Sequence, residues 1–234
     1  MRLFILSAAL ATGFVASAQA ETLTRSLDGT QLELHLACVK SVEIQPAANL
    51  QGKVEIEASA ASHDELAPLE FTGGSIAKIQ RTGNCGLFLS NPTLTLSIKV
   101  PPATPLDLHD AGAGSYKIGP VGAALKLELA GSGTVEAARS TDLDLRIAGS
   151  GDLTLQRLDG PGKIDIRGSG DAKILAGDIG TLTASIAGSG DAQIGGTVKD
   201  ATLSTTGSGN IEIAKATGVV QQKKNGSGTI TVGK

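Results

Sequence analysis

Four sets of residues in this chain have types and spacings that could do chemistry. Asp152, Asp171 and Asp191 each follow a Gly-Ser-Gly triplet, and Thr134 and Asn210 hold the same place beside neighbouring triplets. Carboxylates stacked about 4.8 Å apart repel by roughly 0.9 kcal/mol per pair even in water, which a bound Ca²⁺ could relieve. An Asx-turn onto nearby backbone N–H groups is the alternative, and Thr and Asn can fill that role too. The calcium-binding pattern Gly-Gly-x-Gly-x-Asp is absent. The triplet serines lack the Gly-x-Ser-x-Gly frame of an activated nucleophile and read as turn residues. His109, Asp110 and Tyr116 come close together in sequence and form the one candidate catalytic cluster. Cys38 and Cys85 are the only cysteines; with no Cys-x-x-Cys and no His at ligand spacing, they read as a disulfide pair and not a metal site.

The elements that position these residues follow from a repeat. Gly-x-Gly recurs with its first glycine at 112, 131, 149, 168, 188, 207 and 226, at spacings of 19, 18, 19, 20, 19 and 19. A fixed period near 20 marks a solenoid. Aligned on that glycine, the residues six, four and two upstream are mostly apolar, as in Leu125, Leu127 and Leu129 or Leu143, Leu145 and Ile147. Downstream, Val135 and Ala137 or Leu153 and Leu155 continue the alternation. Period-two patterning means strands with one buried face. One unit cannot bury that face alone, whereas parallel stacking of copies at about 4.8 Å does. The sequence therefore predicts an all-β fold, a parallel β-helix (β-solenoid) of about seven regular ~19-residue coils, with glycines at the bends where positive φ is cheap. Outward positions support in-register stacking. Asp107, Lys126, Asp144 and Lys163 form one column, and Glu128, Arg146 and Asp165 continue a second from His109. Alternating charges directly opposite attract, and like charges would repel. Asp110 and Lys224 stand where the buried column turns charged, and read as end caps.

Residues 21–100 alternate without a clean repeat, in runs over 31–37, 41–45, 53–58, 76–81 and 94–100. They are expected to form irregular early coils that cap the solenoid, with a short helix or loop over 59–67. Regular coils are expected over 101–234, all within one domain spanning 21–234. Residues 1–20 read as a signal peptide: Arg2, an apolar run from Leu3 to Val15, and Ala18-Gln19-Ala20 before a cut ahead of Glu21. No second apolar stretch of spanning length follows, so no transmembrane anchor is expected in the mature chain. Export makes a Cys38–Cys85 bridge the default, contributing about 4 kcal/mol in the loop-entropy model. The net charge of −3 and the lack of a basic stripe exclude a general nucleic-acid binder.

Strand 95–102 (Thr-Leu-Ser-Ile-Lys-Val-Pro-Pro), the run Leu-Asp-Leu-His-Asp-Ala-Gly-Ala-Gly over 106–114 and the serial Gly-Ser-Gly-Asp coils at 149–152, 168–171 and 188–191 resemble the GIN domain family, described as an auto-transporter adhesin head domain. The resemblance spans about residues 30–234. It implies a β-helical fold and export, and brings no catalytic residue to carry over. The expected function is a non-catalytic, exported structural or adhesion-type module of the bacterial envelope. Its partner would be an envelope protein or glycan, met by a flat face or by the variable connections 157–162 and 195–200. The alternative is a carbohydrate-binding or carbohydrate-active protein on the same scaffold, although one Tyr and no Trp offer little platform for sugar. No cofactor is expected. The location is periplasmic or cell-surface.

Overall fold

A computed structural model describes residues 20–81 and 92–234. The N-terminal part contains β1 (Glu21–Asp28), β2 (Gln31–Leu36), β3 (Ser41–Pro46), β4 (Lys53–Ala60), α1 (His63–Leu66), β5 (Leu69–Thr72), β6 (Ile76–Arg81) and β7 (Thr95–Val100). The regular part contains β8 (Leu106–Asp110), β9 (Ser115–Ile118), β10 (Ala124–Leu129), β11 (Thr134–Ala137), β12 (Asp142–Ile147), β13 (Asp152–Arg157), β14 (Gly162–Gly168), β15 (Ala172–Ala176), β16 (Asp178–Gly188), β17 (Ala192–Gly207), β18 (Ile211–Ala216), β19 (Val220–Gly226) and β20 (Ile230–Val232).

Each coil lays one strand on a first face, bends at its glycines, and lays the next strand on a second face. The first face stacks β5, β6, β2, β8, β10, β12, β14, β16, the second half of β17, and β19. The second stacks β1, β4, β7, β3, β9, β11, β13, β15, the first half of β17, β18 and β20. From β2 and β3 onward every pairing is parallel, and all keep register except β17–β18, which shifts by one residue between Ile194 and Thr197. Lys126 sits between Asp107 and Asp144, and Asp144 beside Lys163, as the charge columns require. Leucine, isoleucine and valine from both faces meet in one continuous core running from Leu32 to Ile213. Burial follows the pleat: β12 alternates exposed Asp142 and Arg146 with buried Leu143, Leu145 and Ile147.

Glycine serves the bends for a stronger reason than φ. First glycines 168, 188, 207 and 226 have positive φ, but 131 and 149 do not. What these six share is contact: a Cβ on any of them would run into the carbonyl oxygen of the equivalent glycine one coil back. The second glycines 151, 170, 190, 209 and 228 meet the preceding copy's carbonyl in the same way. Backbone hydrogen bonds draw the bends together. Ser132, Ser150, Ser169, Ser189 and Ser208 donate their N–H to the first glycine of the coil before, at 2.8–3.0 Å.

The N-terminal region departs from the expected irregular coils in two ways. First, β2 and β3 form a regular layer in register with β8 and β9, and the same number of residues separates the paired positions: Leu36 lies beside Asp110 and Ser41 beside Ser115. Cys38 takes the first-glycine place in this bend, with φ of 55°. The repeat is hidden in the sequence because β4–β7 are inserted between this layer and the next. Second, the cap is built by antiparallel pairing: β1 on β4, β4 on β7, and the β5–β6 pair. β1 has no buried residue, with only Leu23 and Leu27 partly covered, and β5 is only four residues long, so neither has a strong apolar pattern. Glu65 on α1 fastens this cap, accepting N–H bonds from Thr93 (2.8 Å) and Leu94 (3.2 Å) at the approach to β7.

Two further expectations are corrected. Residues 195–200 are not a variable connection. They lie within the long strand β17, where Thr197 and Val198 pair with Asp178 and Ile179 on one side and Lys215 and Ala216 on the other. Asp110 is not an exposed end cap either. The layer of β2 lies beyond it, and it is 1% exposed.

Candidate functional site

The Gly-Ser-Gly bend brings two stripes of side chains to the surface, one on each side. On the second face the stripe at the strand starts reads Ser41, Ser115, Thr134, Asp152, Asp171, Asp191, Asn210 and Thr229. The acidic members are held by neighbouring coils, not by local turns. Asp152 Oδ1 accepts the N–H of Asp171 (2.9 Å), Asp171 Oδ1 that of Asp191 (2.8 Å), and Asp191 Oδ1 that of Asn210 (2.8 Å). Asn210 Oδ1 in turn accepts from the backbone and hydroxyl of Thr229. Each carboxylate thus completes the backbone bonding of the next bend. The Asx-turn expectation was right about the N–H acceptor role and wrong about the donor, which stands one coil away.

On the first face the charge columns form ion pairs. Lys126 Nζ lies 2.8 Å from Asp107 Oδ2, and Lys163 Nζ 3.8 Å from Asp144 Oδ2. The hydrogen bond to Asp107 raises the Lys126 pKa, with burial acting against it. Along the connection, Asp159 contacts Arg157 (2.6 Å) and Arg139 (3.0 Å), and the Arg157 hydrogen bond holds its carboxyl below the usual range. The ladders leave flat, pleated surfaces. Among the described residues the depressions are shallow. One of about 420 Å³ is lined by His35, Arg81, His109, Asp110 and Glu128, and another of about 360 Å³ lies across β1, β4 and β7.

The proposed cluster of His109, Asp110 and Tyr116 is split by the pleat. Asp110 and Tyr116 point inward, where the Tyr116 hydroxyl donates to Asp110 Oδ1 at 2.8 Å and Gly112 N–H donates to the same oxygen at 3.1 Å. Burial pushes the Asp110 carboxyl up, and these two donors only partly offset it. Burial, then the nearby Asp110 charge, pushes the Tyr116 hydroxyl far above its ordinary range. This is a pin beneath the first bend. His109 points outward and stacks on His35 with ring centroids 4.3 Å apart. Sequence reading missed His35, because its coil was not recognised as a repeat. Laying Leu32-Glu33-Leu34-His35 over Leu106-Asp107-Leu108-His109 would have revealed it.

Residues 25–234 match the family described as "Putative auto-transporter adhesin, head GIN domain". The chain belongs to the GIN-domain family. No curated protein matches it. A crystal structure of a putative adhesin from Bacteroides fragilis is similar to this GIN domain at TM-score 0.72 and 16% identity, covering 92% of this chain and 97% of that one. A putative adhesin from Parabacteroides merdae is similar at TM-score 0.59 and 16% identity, and a protein from Parabacteroides distasonis described as a putative lipid binding protein at 0.61 and 19%; both comparisons cover 92% of this chain and 97% of the other. At these identities the likeness is one of fold, and it places the β-solenoid among solved structures. No helix among the described residues is long and apolar enough to cross a membrane.

Proposed function

We propose that this GIN domain is a non-catalytic, exported, adhesion-type module of the bacterial envelope. It would meet a protein or glycan partner with its rigid ladder faces. The observation that carries the reading is that the outward charges are spent on in-register ion pairs and the acidic stripe on backbone N–H groups, an arrangement that supports a stiff, flat surface rather than a reactive cleft. The family description supports adhesion as the class of role. Export would remove residues 1–20. β1 starts at Glu21, so cleavage there leaves the whole solenoid intact.

Oxidation would then join Cys38 to Cys85. Cys85 lies outside the described residues, but β6 ends four residues before it, and Arg81 Nη1 donates to the Cys38 carbonyl at 3.0 Å. β6 pairs with β2 in parallel, Gln80 beside His35, so the described end of β6 lies on the same face three residues short of Cys38. Peptide mapping of the exported protein without reductant should recover a peptide linking Cys38 to Cys85; recovery of both as alkylated thiols would reject the bridge.

The functional reading is tested by fractionating native cells, crosslinking the protein in place, and probing the purified chain on a glycan array and against polysaccharides. Envelope location with a specific crosslinked protein or glycan signal and no cleavage product is expected. Release of oligosaccharide would replace this reading with the carbohydrate-active one, and a cytoplasmic location would end it.

A further inference from the structure

The two outward columns of the first face carry a symmetry that a single chain does not use. Reversing the order of the coils exchanges charges of opposite sign. At the centre Lys126 changes places with Asp144, and Glu128 with Arg146. One coil out, Asp107 changes places with Lys163, and His109 with Asp165. Beyond these, Glu33 and His35 exchange with Thr183 and Ser185, and Lys78 and Gln80 with Thr202 and Ser204. At the two ends Glu70 on β5 exchanges with Lys223 on β19. A second copy laid on this face with its coils reversed therefore meets each of these charges with an opposite charge or a neutral polar group. An arbitrary charged surface facing its own copy sets some like charges together, which is costly. The central coils also bring no net charge to the contact, because Asp107, Glu128, Asp144 and Asp165 are balanced by Lys126, Arg146, Lys163 and Arg167.

We propose that the first face is the interface of a two-fold homodimer, in which a second copy lies face to face with its coils in reverse order. Within one chain the centre of this face is incompletely paired. Asp144 has Lys163 Nζ at 3.8 Å and Arg146 Nε at 4.0 Å, and its Oδ1 makes no hydrogen bond. The reversed copy sets its Lys126 over Asp144. Lys126, Arg146 and Lys163 keep about half of their side-chain surface in solvent and can reach across. Ala130 and Ala148, exposed beside the centre, are too small to hold two faces apart. Strands about 4.8 Å apart and about 20 Å long, stacked from β5 to β19, make a face of roughly 900 Å². A stable interface takes about 800 Å² from each partner. A two-fold axis along the solenoid would keep the coils in order and set the two N-terminal caps side by side. Reversal instead brings Glu70 of the cap to Lys223 of the last coil, so charge at the ends favours it.

The dimer does not depend on the adhesion role: it leaves the second face free for a partner, and crosslinking in cells tests that role separately. The dimer is tested by sedimentation equilibrium of the full exported chain up to sub-millimolar concentration. A monomer–dimer equilibrium is expected at about 0.05 M salt, with affinity at least about 10-fold weaker at about 1 M, where screening shortens to about 3 Å. K126E turns a carboxylate toward Asp144 of the second copy, and D144K turns an ammonium toward its Lys126. Each variant alone should dimerise at least about 10-fold more weakly than the parent. Mixed in equal amounts they should pair again, because each then meets its complement. Circular dichroism checks that both are folded, and pairing on mixing itself requires folded faces. A parent chain that stays monomeric at low salt overturns the proposal. Dimers that survive both K126E and D144K overturn it equally, by placing the interface elsewhere. Folded, monomeric variants that fail to pair on mixing overturn the reversed two-fold arrangement.

Discussion

Asp110 and Tyr116 are the two residues whose chemistry most departs from their surroundings. The Asp110 carboxyl is buried, and its pKa is raised mainly by that burial. A raised pKa means that the folded state binds the proton more tightly than the unfolded chain does. The carboxyl's contribution to stability is therefore most favourable below the unfolded value of about 3.8, and declines as pH rises through the folded value. The Tyr116 hydroxyl limits this decline by donating to the ionised form. Tyr116→Phe removes that donor and leaves Gly112 N–H alone. It should destabilise the protein by about 1–3 kcal/mol near pH 7, and by less near pH 4, where more of the carboxyl is neutral. Urea unfolding at the two pH values measures the difference. An equal cost at both would show that the hydroxyl does not act through the Asp110 charge.

Among elements, the bend limits what the sequence can be. Strands tolerate exchange among Val, Ile and Leu because a pleated face asks only for apolar bulk. The second glycine of each bend has no such latitude. In Gly170, a Cβ would strike the Gly151 carbonyl oxygen and sit 2.8 Å from Ile147 Cγ2. Both neighbours are fixed, one by the backbone stack and one by the core, so neither can yield cheaply. Gly170→Ala should cost about 2–4 kcal/mol, the range of an overpacked core site. Gly180 supplies the control within β16, since it has ordinary φ and nothing within 4 Å of a Cβ. Gly180→Ala should stay within about 0.5 kcal/mol of the parent. Equal losses in the two variants, read from guanidinium unfolding, would show that glycine at the bend is chosen for backbone freedom rather than for close approach.

For the whole molecule, register is the property from which the rest follows, and it was legible wherever copies are adjacent in sequence. The columns through Lys126, Asp144 and Lys163 could be written from spacing alone because ion pairs repeat once per coil. The layer of β2 and β3 was illegible because β4–β7 separate it from β8. Its bend also carries Cys38 in place of the glycine that marks the others. The His35–His109 contact was lost with it. Asp110 was misread for the same reason: a charged residue in a buried column looks like an end only if the next layer is unseen. If stacking in register is what holds the molecule, one whole coil can be removed and a fraction of a coil cannot. Deleting residues 189–207 joins Gly188 to Ser208. It sets β19 against β16 and β18 against β15, keeps Asp171 over Asn210, and lets Asp178–Ile179 take up Lys215–Ala216 in place of Thr197–Val198. This 19-residue deletion should remain a folded β-protein by circular dichroism, with a cooperative transition lowered by several degrees, on the order of 1–3 kcal/mol. Deleting only 189–198 shifts every later side chain off its column, turns apolar positions outward, and should yield aggregated or uncooperative material. Similar behaviour of the two deletions would mean that contacts other than in-register stacking determine the fold.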